Sequence, residues 1–472
     1  MIEHRRPQTT FADGLIAEET SDLWEPWLRH TDALLEDEQL IGIVQQALSA
    51  RCKKSKTRGR KGTSAEVVLR LLALKHMFNW SYDELHREVR ANLVYRDFTR
   101  IGGGKVPDDK TMGRLARQLG PGPVEKLHQR IVSMAKDKKM VTGSKLRVDT
   151  TVVETNIHYP TDSSLMGDGV RVLTRLMKRV TDLAGAAGTK LRDRSRTVKR
   201  RVVEIARTSR SKCEQGRERM KKLYGKLLVA TAAVVGQAQR FVQEIAQGVK
   251  RSAEVLGQAA LEGLKKELEK MTPRVKQVMK QARARVLHGD VHVEGKLVSI
   301  FEPTTEIIRR GKAKQPTEFG KMIKVQEAEA QIITSYEVYE KRPSDSDLLV
   351  PAIEVHRQRL GRVPHLVAGD AGFYSARGEK AALDLGVKRV SVPNRSTKSE
   401  ERKKLQKTRW FKNGQKWRTG SEGRISVLKR RHGLNRCRYK GDDGMKLWVG
   451  LGTICDNLVT MGHFLHEKSA GV

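Results

Sequence analysis

Apolar positions recur at helical spacing along most of this chain and give way to β-type alternation in only a few places. A short helix is expected near Ser21–Leu28 and a longer one over TDALLEDEQLIGIVQQALSARC, from residue 31. The run KKSKTRGRKG that follows reads as a solvated linker or as an arm touching phosphates. Residues 63–140 read as wholly helical. Thr63 with Glu66, and Ser81 with Glu84, have the spacing of capping boxes, in which a hydroxyl and a carboxylate satisfy the free amides of a first turn. Between them VVLRLLALKHMF is apolar enough to be buried, whereas YDELHREVRANL is polar-faced and is followed by the turn GGGK at 102–105 and by PDDKTMGRLARQLG. Short helices with a basic outer face resemble a helix-turn-helix assembly that reads DNA.

From Lys145 the period changes. KLRVDTTVVET alternates, which puts Arg147, Asp149, Thr151 and Val153 on one face of a strand. Residues 168–285 are rich in Ala, Lys, Arg and Glu with no proline before Pro273, so a helical insertion is expected there, its helices packing as a hairpin or bundle. Strands are expected again at LVSIF (297–301), KMIKVQEA (321–328) and QIITSYEVYE (331–340), then a helix over about 346–360. In HLVAGDAGFYS the apolar run Leu366 to Ala368 stops at Gly369-Asp370, the shape of a buried strand that delivers an acid at its C-terminal end. A helix at 376–386 and a strand at 388–393 follow. Residues 394–420 read as a basic, Trp-bearing loop, 421–431 as a helix, and LGTICDNLVTMGHFL as a last helix with one apolar face. The expected division is an N-terminal segment and basic linker (1–62), a helical DNA-binding domain (63–140), a catalytic domain in two pieces (141–167 and 286–472) and the basic helical insertion (168–285).

Charge narrows the partner. The 472 residues carry 92 Lys+Arg against 55 Asp+Glu, a formal net charge of +37, which attracts a polyanion over much of the surface. Within 191–220 alone there are eleven Lys/Arg and four Asp/Glu. Double-stranded DNA is the expected partner. The four cysteines, Cys52, Cys213, Cys437 and Cys455, form no C-x-x-C pair, which argues against a zinc site or a disulfide framework. The N-terminus lacks the apolar run of a signal peptide and KLLVATAAVVG (226–236) is too short to span a bilayer, so a cytoplasmic, nucleoid-associated protein with no membrane partner is expected.

Three acids stand where phosphodiester chemistry would need them. Cutting DNA with metal as the sole cofactor calls for two Mg²⁺ about 3.5–4 Å apart, and Mg²⁺ asks for carboxylate oxygens converging from different elements. Asp149 lies mid-strand in a β-branched segment, where an unpaired carboxylate is costly. Asp370 ends a buried strand, and Glu422 opens a helix with Ile425 and Leu428 on its apolar face. Each has a plainer reading, since an acid at a strand end is often a cap or turn residue and one in a first turn favours the helix dipole.

The order strand-Asp149, further strands, strand-end Asp370 and helix-borne Glu422 resembles the DDE transposases of bacterial insertion sequences. The likeness is closest at the last acid, where the YREK signature runs Tyr, two residues, Arg, three residues, Glu, six residues, Lys. Arg418, Glu422 and Lys429 fall in that register, with Gln415 at the tyrosine position. EFG at 318–320 followed by KMIKV, and AGDAGFYS around Asp370, resemble the same group. The resemblance implies an α/β ribonuclease-H-like mixed-sheet catalytic domain with a helical N-terminal domain and a large helical insertion. It implies that Asp149, Asp370 and Glu422 hold two Mg²⁺, with Mn²⁺ as a substitute, and that Asp149 bridges both. It assigns Arg418 and Lys429 to DNA phosphates, and implies a homo-oligomer on DNA, because two ends are cut together. A ribonuclease-H-like nuclease that cuts without joining, and a non-catalytic DNA-binding descendant of a transposase, are the alternatives.

Overall fold

The computed structural model describes residues 2–6, 11–50, 62–185, 187–211, 213–309 and 316–471. All but the last residue of KKSKTRGRKG falls outside the described residues. The chain separates into two compact units, Met1–Asn156 with Ile308–Val472, and Ile157–Ile307.

The first unit opens with α1 (Phe11–Glu19), α2 (Pro26–Leu34), α3 (Glu38–Ser49), α4 (Ala65–Met77), α5 (Tyr82–Ala91), α6 (Leu93–Phe98), α7 (Asp109–Leu119) and α8 (Pro121–Asp137). The single helix expected from residue 31 is broken, because Asp37 caps α3 by accepting from the Leu40 amide at 3.0 Å. The Ser81–Glu84 capping box forms, with both reciprocal hydrogen bonds in place. The Thr63–Glu66 box does not. Helix α4 starts after Ser64, and the Glu66 carboxylate accepts instead from Arg70 Nε at 3.1 Å, a charge-assisted bond inside a buried helix.

The second unit is all helix apart from its connections: α9 (Asp162–Ala184), α10 (Ser195–Thr208), α11 (Glu214–Ala246) and α12 (Val255–His288). Leu173, Leu227, Phe241, Leu268 and Val275 are among the residues of its common core. Gly169 lets α9 and α12 approach, since a Cβ there would fall 2.6 Å from a Val275 methyl. The strand expected at 297–301 is absent. Ile300 is drawn into the helical core, and its carbonyl accepts from Arg274 at 2.7 Å rather than from a strand.

The sheet lies between β1 (Lys145–Thr155) and the C-terminal region, with β2 (Glu306–Arg309), β3 (Thr317–Glu327), β4 (Ile333–Val338), β5 (Leu366–Ala368), β6 (Arg389–Ser391) and β7 (Arg436–Cys437). Among the described residues its order is β2-β3-β1-β5-β6, with β4 also on β3 and β7 also on β1. Strand β1 is antiparallel to β3 and parallel to β5, so the sheet is mixed. Both of its faces are covered. On one side α13 (Leu349–Leu360) and α14 (Ala376–Asp384) pack on Leu146, Val148, Val152 and Val367. On the other, α16 (Arg409–Arg431) and α17 (Gly441–Ser469) meet Val153, Ile323 and Val325 through Leu428, Trp448 and Val449. Helix α17 also closes the core of the N-terminal helices with Leu451, Ile454 and Leu458.

Residues 394–420, expected as a loop, are largely helical: α15 (Glu400–Lys407) is capped by Ser399, and α16 begins twelve residues before the expected 421. The buried stripe of α16 is Phe411, Gly414, Ser421, Arg424 and Leu428, a helical spacing written partly in Gly, Ser and Arg. Among the described residues no helix is long and apolar enough to cross a membrane. An N-terminal helical region, a mixed sheet flanked by long helices and a helical insertion match a ribonuclease-H-like architecture.

Candidate catalytic site

Successive residues of β1 point to opposite faces, so Arg147, Asp149 and Val153 all turn toward α16 and α17. The parallel register pairs Lys145 with Leu366, Leu146 with Val367 and Arg147 with Ala368. Carried two residues further, it brings Asp149 level with Asp370, which sits just past the end of β5. Asp370 caps a short helical turn, its Oδ1 accepting from the Gly372 amide at 2.9 Å.

Asp149 is held on three sides. The Ser421 hydroxyl donates to its Oδ2 at 3.0 Å, the Thr150 amide donates to its Oδ1 at 2.7 Å, and Arg418 Nη1 stands 4.0 Å from Oδ2. Burial pushes the Asp149 carboxyl above the usual carboxylate range, and the charge of Asp370 pushes the same way; the two hydrogen bonds and Arg418 oppose them. A buried carboxylate with a second acid beside it forms a place where a cation is welcome.

Glu422 sits one residue beyond Ser421 and faces outward, its side chain 63% exposed. Its Oε1 accepts from Arg418 Nη2 at 2.9 Å. One guanidinium thus reaches both Asp149 and Glu422. Among the described residues, no three of His, Cys, Asp and Glu gather closely enough to hold a metal ion. Arg418, Glu422 and Lys429 lie four and seven residues apart on α16, a spacing that keeps all three on one face of the helix. Lys429 is half-buried.

Sequence reading missed the groups that seat α16. Arg147 donates from Nε to Glu327 at 2.9 Å, pairs a second time with the same carboxylate through Nη2, and donates from Nη1 to the Trp417 carbonyl at 2.6 Å. Its guanidinium also lies 5.1 Å from the Trp417 ring centre. Gly420 lies against this guanidinium, and a Cβ there would fall 2.3 Å from Arg147 Nη1, so one of the two would have to shift. Gln415, at the tyrosine position of the YREK pattern, donates to the Gly369 carbonyl at 3.2 Å and to the Ser391 carbonyl, tying α16 to the ends of β5 and β6 beside Asp370. On the opposite face the Thr150 hydroxyl donates to Asp345 Oδ1 at 3.1 Å. Arg147 shares a strand face with Asp149, and that signal was present in the alternation; nothing local in the sequence marks Glu327 as its partner.

Fold and site together point to the ribonuclease-H-like class, and comparison with known families makes the class specific. Residues 20–118 match the family described as Transposase domain (DUF772), and residues 385–461 match the Transposase DDE domain. The chain carries both transposase domains, a pairing consistent with a DDE-type transposase. The second match covers α16 and with it Arg418, Glu422 and Lys429; Asp149 and Asp370 lie outside both matched segments. No curated protein and no solved structure matches the chain.

Proposed function

We propose that this protein binds transposon ends, cleaves the DNA and joins the freed 3′ ends to target DNA, with Asp149, Asp370 and Glu422 as the catalytic acids. The observation that carries this reading is the juxtaposition of Asp149, on β1, with Asp370, just past the end of the neighbouring parallel strand β5, and Arg418 spanning from Asp149 to Glu422. The donor set suits Mg²⁺ or Mn²⁺, being all hard carboxylate oxygen, and burial of Asp149 favours a bound cation over a bare charge. Asp149 and Asp370 would hold the ions and Glu422 would complete the set by turning from its exposed position. When bound, two divalent cations supply an activated hydroxyl and stabilise charge on the leaving oxygen.

The chain's own groups do the positioning. Ser421 and the Thr150 amide orient the Asp149 carboxylate, the Gly372 amide orients that of Asp370, and Gln415 holds the backbone at Gly369 just before it. Arg418 and Lys429 would receive DNA phosphates, the guanidinium through paired hydrogen bonds and the ammonium as a point charge.

The test is substitution of each acid by alanine. Mg²⁺-dependent nicking of a DNA end should vanish in all three variants while affinity for that end stays within about twofold, because Lys and Arg contacts supply most of the binding. Nicking that persists in any one variant removes that residue from the site. Supplying a pre-nicked end and a target separates joining from cutting: a wild-type chain that cuts but never joins would be a nuclease.

A further inference from the structure

A cleft of about 540 Å³ opens at the other end of the strands that carry the candidate acids. It is bounded by the first residues of β1, β5 and β6 and by the first turns of α16, and it includes Lys145, His365, Arg389, Arg409, Trp410 and Trp417. No Asp or Glu lines it among the described residues. The cations and indoles interleave: Lys145 Nζ lies 5.9 Å from the Trp417 ring centre, and the Arg389 guanidinium 5.6 Å from that of Trp410. Lys145, Arg389 and Arg409 are exposed and both indoles are half-buried.

We infer that this cleft binds an unpaired stretch of DNA strand, with phosphates on Lys145, Arg389 and Arg409 and a base against Trp410. Three exposed cations with no acid among them attract phosphate. The indoles specify the unpaired state. A base inside a duplex has both faces covered by its neighbours, so a tryptophan can stack on it only when it is out of the helix. A volume of this size encloses a small ligand, such as a base with its sugar, and not a stacked duplex.

The partner class rests on the DNA-processing reading above, but the site is separate from the acids. Lys145 and Asp149 are four residues apart on one strand, about 13 Å at ~3.3 Å per residue. An unpaired strand with a phosphate at Asp149 therefore reaches the cleft within a few nucleotides, which is where strands would separate if an end is frayed for cutting or joining.

The experiment measures binding of the full chain to a labelled 12-residue oligo-dT and to a 12-base-pair duplex by fluorescence anisotropy in EDTA. Without divalent cation the outcome is independent of whether Asp149, Asp370 and Glu422 cut DNA. Trp410→Ala should weaken oligo-dT binding about tenfold, within the range for loss of one stacked base, and leave duplex binding within twofold. The double variant Arg389→Ala/Arg409→Ala changes only exposed side chains. It should make the slope of log affinity against log salt for oligo-dT shallower by about 1.4, two phosphates at about 0.7 each. Unchanged oligo-dT binding by Trp410→Ala, or equal loss for single strand and duplex, overturns the inference, as does an unchanged salt slope in the double variant.

Discussion

Replacing Arg147 by methionine would leave the Glu327 carboxylate buried without its partner. The two side chains are 5% and 2% exposed, so water cannot substitute for the guanidinium. Removing one member of a buried, hydrogen-bonded ion pair destabilises by about 3–5 kcal/mol, and the hydrogen bond to the Trp417 carbonyl adds about 1 kcal/mol. Glu327 has one escape, which is to take up a proton. Burial already pushes its carboxyl above the usual range, with Asp456 in the same direction and with Arg147 and Arg424 against it. Without Arg147 the folded state would bind this proton at a pH where the unfolded chain has lost it. Stability of the variant should then fall as pH rises, by about 1.4 kcal/mol per pH unit until the folded-state pKa is passed. Urea unfolding followed by tryptophan fluorescence at pH 6, 7 and 8 reads both effects. The double variant Arg147→Met/Glu327→Gln should recover at least about 2 kcal/mol and flatten the pH dependence, since no charge is left to bury. A loss below about 1 kcal/mol in the single variant, or no recovery in the double, would refute the view that this pair seats α16 on the sheet.

Two further substitutions probe the same packing and the pH response. Gly420→Ala gains about 1 kcal/mol of helix preference but drives a Cβ to 2.3 Å from Arg147 Nη1, an overpacking worth about 1–3 kcal/mol, so it should be neutral to destabilising. Gly423→Ala, with nothing within 4 Å, should stabilise by up to about 1 kcal/mol, and similar melting shifts for the two would contradict the contact. His128 is pushed down to about 4, first by burial and then by Arg359, with Glu125 opposing and its Nε2 bonded to the Ile333 carbonyl. The unfolded chain therefore binds this proton from about pH 6.5 downward while the folded chain refuses it, so stability drops as pH falls from about 6.5 to 4, by up to about 3 kcal/mol. His128→Gln should remove that part of the slope in unfolding measured across this window, and an identical slope in both proteins would show that His128 does not contribute.

Much of this architecture was written locally. Strand β1 announced itself because alternation is a period-2 property of a few adjacent residues, and the insertion because some 120 residues with almost no β-branched runs and no proline before Pro273 have no better state than helix. The residue types of the candidate site were legible for the same reason: an acid inside a β-branched strand, another at the end of an apolar run, and a glutamate in register with an arginine and a lysine. What the sequence did not show depended on partners distant along the chain. LVSIF has strand composition, yet Ile300 joins a helical core. Helix α16 runs from Arg409 with Gly414 and Ser421 among its buried residues, and small residues leave no mark in an apolar pattern. The level placement of Asp149 and Asp370 follows from a parallel register set between residues 221 positions apart. The same is true of Arg147 with Glu327 and Trp417, and of Gln415 with the ends of β5 and β6. Hydrophobic period is a short-range property of the chain, whereas which buried charge meets which partner is settled only when strands and helices choose their neighbours.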